Sequence, residues 1–237
     1  MKICWLCELN KNSKNFLNIE HPLSYSMGGC IETYGRFCSK CNRVKMCYSD
    51  HFLTNITREI ISLLRIENRS KKIVGLHDTD KILSEKHNQY FLYTKECGRS
   101  MLDLAMTKVG YSYLAYLSNE TMIKTKEIEE MRVAILNKSK PSNIISNIVP
   151  LTDKSIFNKA VKKETDMYGF TNHILLIVEE GEEIFLYIRI FNKLEAKIKI
   201  GNIQDATNTL KNTILINNTV DRTHESKFFQ LPIARSA

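Results

Sequence analysis

Apolar positions recur at helical spacing through the middle of the chain and at strand spacing toward its end. From Asn55 to about Asn68, ITREIISLLRIEN sets Ile56, Ile60, Ile61, Leu63 and Leu64 on one stripe of an amphipathic helix. Arg58, Arg65 and Arg69 fall on or near its polar side and read as a solvated face. A polar connection, RSKKIVGLHDTDK, follows. Met101, Leu104, Ala105, Val109, Leu114 and Leu117 then predict a second helix over 100–117, which Gly110 weakens by about 1 kcal/mol relative to alanine. A charged helical stretch over 121–137 runs into the loop KSKPSN, where Pro141 blocks continuation. Beyond it, HILLIVEEGEEIFLYIRIFNKLEAKIKIG predicts three strands of an antiparallel meander. Its turns are expected at Glu179-Glu180-Gly181 and around Asn192-Lys193. The first 50 residues show little helical period and are rich in cysteine, glycine and turn formers. The class is α+β, in three regions: 1–54, a helical 55–140, and a β-rich 141–237.

Composition narrows this picture. With 237 residues, 43% hydrophobic and 25% charged, the chain can bury a core and is not a disordered sequence. No apolar run approaches membrane-spanning length, and the start MKICWLCELNKN lacks a secretory apolar core, so a cytoplasmic protein is expected. The formal charge of +8 is unevenly placed. Residues 1–75 hold 12 Lys/Arg against 6 Asp/Glu, which suits a polyanionic partner without requiring one.

Six of the seven cysteines stand within the first 47 residues. Cys4-x-x-Cys7 and Cys38-x-x-Cys41 are two knuckles, and two such pairs complete a tetrahedral S4 site for Zn²⁺. A four-thiolate sphere leaves no open position, so this zinc would be structural. Cys30 and Cys47 belong to neither pair and are left outside it, and Cys97 reads as an inert thiol.

The knuckles enclose the stretch EHPLSYSMGG, and Asn42 follows the last cysteine directly. Glu20 and Asn42 offer oxygen ligands to a hard cation such as Mg²⁺, and the His21 imidazole can take a proton near neutral pH. That set suits metal-assisted phosphodiester hydrolysis. The order Cys4, Cys7, Glu20, His21, Pro22, Gly28, Gly29, Cys38, Cys41, Asn42, Lys45 resembles the zinc-knuckled HNH endonucleases. The resemblance implies a ββα-metal motif with His21 as general base. Glu20 and Asn42 would be ligands of a catalytic Mg²⁺ or Mn²⁺, and DNA would be the substrate. It departs at Thr33, where the family usually carries an asparagine that braces the catalytic loop. Arg36, Lys40, Arg43 and Lys45 flank the proposed site and are candidates for substrate phosphates or ordinary solvated cations. His51 is a further phosphate candidate; His77, His87, His173 and His224 carry no functional signal.

The resemblance also admits a role in phage defence or restriction, control by a partner ATPase or another defence-system protein, and a homodimer. The 141–237 region would serve substrate selection, dimerisation or docking. Two readings without catalysis stand beside the nuclease: a zinc ribbon that only binds nucleic acid or protein, and a degenerate HNH fold kept for binding.

Overall fold

A computed structural model describes residues 1–24, 27, 31–63, 83–86, 89–92, 96–118, 122–148, 170–172, 174–190, 194–205, 208, 210–211 and 230–232. Among the described residues the fold is α+β: a cysteine cluster near the N-terminus, three α-helices, and a four-stranded antiparallel sheet toward the C-terminus. Among the described residues no helix is long and apolar enough to cross a membrane.

The N-terminal segment opens with a short hairpin, β1 (Lys2–Ile3) on β2 (Asn10–Lys11). The first knuckle forms its tip, where the Glu8 N–H donates to the Cys4 carbonyl at 2.7 Å and Glu8 takes a left-handed φ of 54°. An isolated antiparallel bridge then joins Glu20 to Thr33. Helical structure begins at Ser39, passes through a π-helical turn at Cys41–Met46, and continues as α1 (Cys47–Leu63). The helix expected to start near Asn55 therefore starts sixteen residues earlier and crosses residue 54 without a break. Its first half buries Cys41, Met46, Ser49 and Leu53, a mixed set with no clean apolar stripe. Ile56 is buried as the pattern expects; the side chains of 58–63 and the connection at 69–81 lie outside the described residues. A small ladder of β3 (Leu83–Lys86) on β4 (Gln89–Leu92) precedes the central helix.

That helix, α2 (Glu96–Leu117), packs against α1 and also against the sheet. From Leu102 to Ala115 every residue is buried, so the expected stripe is a helix covered on all sides. Its polar residues are covered too and have partners. The Thr107 hydroxyl donates to the Asp103 carbonyl at 2.7 Å, Asp103 receives the Ser146 hydroxyl and pairs with Lys140, and the Tyr111 hydroxyl donates to the Trp5 carbonyl at 2.7 Å. α3 (Lys126–Asn137) is N-capped by Thr125, whose hydroxyl accepts from the Ile128 N–H at 3.1 Å. It ends at Lys138, in left-handed conformation, before Pro141.

The sheet contains β5 (Ile144–Ile148), β7 (Ile174–Glu180), β8 (Glu183–Ile190) and β9 (Leu194–Asn202) in the order β5-β9-β8-β7. The three expected strands are present, and β5 adds a fourth, antiparallel to β9. Five residues straight after a proline loop give too little alternation to mark β5 in advance. On β8, Ile184, Leu186, Ile188 and Ile190 face the core. The other face is polar and aromatic. Lys197 lies 4.0 Å from the Phe185 ring and pairs with Glu180, and Arg189 pairs with Glu195 at 2.6 Å. β6 (Phe170–Asn172) pairs separately with β10 (Gln230–Pro232). One cluster of buried side chains runs from Cys4 through α1, α2 and α3 to the sheet.

Candidate functional site

The two knuckles meet. The Sγ atoms of Cys4, Cys7, Cys38 and Cys41 all lie within 4.8 Å of one another. A tetrahedral Zn²⁺ with bonds of about 2.3 Å needs sulfurs roughly 3.8 Å apart, so the donor set fits a zinc ion with a small contraction. The Trp5 N–H donates to the Arg36 carbonyl at 2.9 Å, which holds the first knuckle beside the chain entering the second. The Cys38 N–H points at Cys4 Sγ, 3.2 Å away. A hydrogen bond from the Cys41 thiol, helped by backbone donors, pulls the Cys4 thiol down to about 4. The same bond pushes Cys41 far up, and burial raises Cys7. Four thiolates cannot coexist there without a cation, so metal binding must release protons. Cys47 is exposed at the start of α1; Cys30 and the Cys97 side chain lie outside the described residues.

Between the knuckles, Glu20 and Thr33 exchange backbone hydrogen bonds of 3.1 and 2.7 Å. Directly opposed residues of an antiparallel pair project to the same face. The Glu20 side chain is only 2% exposed, and its Oε1 receives the Ser112 hydroxyl at 3.2 Å and the Lys108 ammonium at 2.5 Å. Lys108, from the middle of α2, also reaches Asp50 Oδ1 on α1 at 2.7 Å and the His21 carbonyl at 2.7 Å. Burial raises the Glu20 and Asp50 carboxyls above their ordinary range, against the pull of Lys108. Lys108 is itself held above the ordinary lysine value: burial opposes its charge, but the two carboxylates outweigh it.

His21 Nδ1 lies 3.2 Å from the Ile31 carbonyl. A carbonyl only accepts, so this bond places a proton on Nδ1 and leaves the basic lone pair of the neutral ring on Nε2. Asn42 stands in the π-helical turn, and its Nδ2 donates to the Ile19 carbonyl at 3.0 Å, next to Glu20. The flanking cations divide into two kinds. Lys45 donates to the Leu136 carbonyl at 3.1 Å and Arg36 to the Ala115 carbonyl at 3.3 Å, both near helix C-termini where positive charge is favoured. Lys40, Arg43 and His51 are exposed, Arg43 within 3.5 Å of Asn18 Oδ1. Gly28 and Gly29 lie outside the described residues.

Sequence reasoning missed Asp50, Lys108 and Ser112. Lys108 left one signal, a lone cation inside LDLAMTKVGYSYLAYL, because lysine is almost never fully buried unless paired. Asp50 left none that separates it from an ordinary helix-surface aspartate. The chain matches no known family model, no curated protein and no solved structure.

Proposed function

We propose that the protein is a zinc-stabilised HNH-type endonuclease that hydrolyses phosphodiester bonds in DNA. The observation that carries this reading is the convergence of the Glu20 and Asp50 carboxylates and the His21 main-chain carbonyl on one cation-binding point, beside a loop tied by the cysteine cluster. The Nδ1 contact to Ile31 sets the His21 ring for base catalysis through Nε2. In the reaction Nε2 takes a proton from water as its oxygen attacks phosphorus. The bond to the leaving sugar oxygen breaks in line and that oxygen takes up a proton from solvent, giving a phosphomonoester and an alcohol. Glu20, Asp50 and the Asn42 amide oxygen are the residues that would hold Mg²⁺ or Mn²⁺, and that ion, when bound, supplies charge neutralisation to the leaving oxygen. Lys40 and Arg43, both exposed, would hold neighbouring phosphates.

A second reading, a zinc module that binds nucleic acid or protein without cutting, is favoured by one fact: the Glu20 carboxylate is already neutralised by Lys108. A supercoiled-plasmid assay in Mg²⁺, Mn²⁺ or EDTA separates the two. Nicking by wild type that needs a divalent cation and falls by about 100-fold or more in His21→Ala, at equal zinc content, is the expected result. A folded, zinc-loaded wild type that retards DNA but never nicks it leaves the binding module.

A further inference from the structure

The Lys108 ammonium has the surroundings of a coordinated metal ion. None of its side chain is exposed, and four oxygens surround Nζ: Glu20 Oε1 at 2.5 Å, Asp50 Oδ1 at 2.7 Å, and the carbonyls of His21 at 2.7 Å and Pro22 at 3.4 Å. An ammonium has only three protons to give, so one of the four is poorly served. Two carboxylates face one ammonium, and burial disfavours charge on both of them. Carboxylate and carbonyl oxygens are the ligands of hard divalent cations, and such an ion would favour the ionised form of both carboxyls.

A second observation lies on the same strand bridge. The Thr33 hydroxyl is buried and has no hydrogen-bond partner among the described residues, on the face of the bridge that carries Glu20. A buried polar group without a partner is uncommon and calls for a ligand or water.

We propose that Lys108 is a tethered competitor for a divalent cation at the Glu20–Asp50 pair, and that the metal enters only when this ammonium is withdrawn. Asp50 is then the second carboxylate ligand, and α2 is the element that decides whether the site holds metal. The proposal builds on the nuclease reading, but its test does not depend on cutting.

Mn²⁺ binding is measured on zinc-loaded full-length wild type, Lys108→Met, and Lys108→Met combined with Glu20→Gln or Asp50→Asn. Lys108→Met should bind Mn²⁺ at least about tenfold more tightly than wild type, and either second substitution should remove that gain. If Lys108→Met is unfolded alone, Mn²⁺ should restore its fold. Equal affinity in wild type and Lys108→Met, a gain that survives Glu20→Gln, or a variant that Mn²⁺ neither binds nor refolds would overturn the proposal. Plasmid nicking in the same samples keeps the two ideas apart. Tighter Mn²⁺ binding without nicking retains the competitor and removes the nuclease. Metal-dependent nicking by wild type, with no affinity gain in Lys108→Met, does the reverse.

Discussion

Lys108 holds its place through charge pairing, and its removal should show in stability before it shows in activity. A buried pair broken on one side leaves an uncompensated charge, so Lys108→Met should lose about 3–5 kcal/mol in metal-free buffer. Replacing Glu20 and Asp50 by their amides in the same chain should recover part of that loss, because no buried carboxylate is then left bare. The pH dependence has a definite sign. Folded Lys108 keeps its proton above the ordinary value of 10.5. Its contribution is complete below that value and is lost as pH rises through the higher folded one. Urea midpoints of wild type should therefore fall above pH 10.5 more steeply than those of Lys108→Met. Tyr111, whose buried phenol is also pushed up, contributes equally to both curves. Parallel curves would show that Lys108 titrates no differently when folded. At this scale the sequence disclosed the four cysteines fully, because ligand spacing is local. It marked Glu20 and His21 as candidates but not what surrounds them, because Lys108 and Asp50 come from separate helices that only packing brings together.

Gly110 shows how an element can be read correctly and its reason missed. Within α2 it reads as a weak point, yet a Cβ there would stand 2.6 Å from Leu186 Cδ2, 3.2 Å from Ile198 Cδ1 and 3.3 Å from Met131 Cε. The glycine lets α2 lie close against β8 and β9. Gly110→Ala would gain about 1 kcal/mol of helix propensity and pay roughly 1–3 kcal/mol in overpacking. Three side chains press on the same point, so the overpacking wins, and a net loss of about 1 kcal/mol is expected from urea unfolding. A stabilised Gly110→Ala would mean that the helix can stand off from the sheet at no cost. The meander strands were legible because strand spacing is local, and the loop around Pro141 marked the region where α3 ends, although the helix already stops at left-handed Lys138. The full coverage of α2 and the early start of α1 were not, since both depend on which elements lie on their polar sides.

Over the whole molecule, the cysteine cluster and the sheet share α2 as their common wall. Tyr111 reaches back to Trp5, Arg36 to the end of α2, and Arg132 to the Leu6 carbonyl at 2.9 Å. One buried cluster spans both sides. Residues 102–115 of α2 are covered on every side, and loss of the N-terminal segment would bare Lys108, Ser112 and Tyr111, which all meet partners there. Zinc should thus stabilise the sheet layer as well as its own knuckles, by the mass-action link between metal and fold. The single tryptophan, Trp5, is 3% exposed beside the cluster, so its emission reports on the N-terminal side alone. Far-UV dichroism follows the helices and the sheet together. Stripping zinc with a chelator, or Cys38→Ser, should lower the thermal midpoint seen by both probes and keep the two curves coincident. If Trp5 shifts to the red while the dichroic transition stays where it was, α2 and the sheet form a unit that does not need the cluster. The hydrogen bonds from Tyr111 and Arg132 would then be contacts between two separately stable parts, and withdrawal of Lys108 from Glu20 would cost the rest of the molecule little.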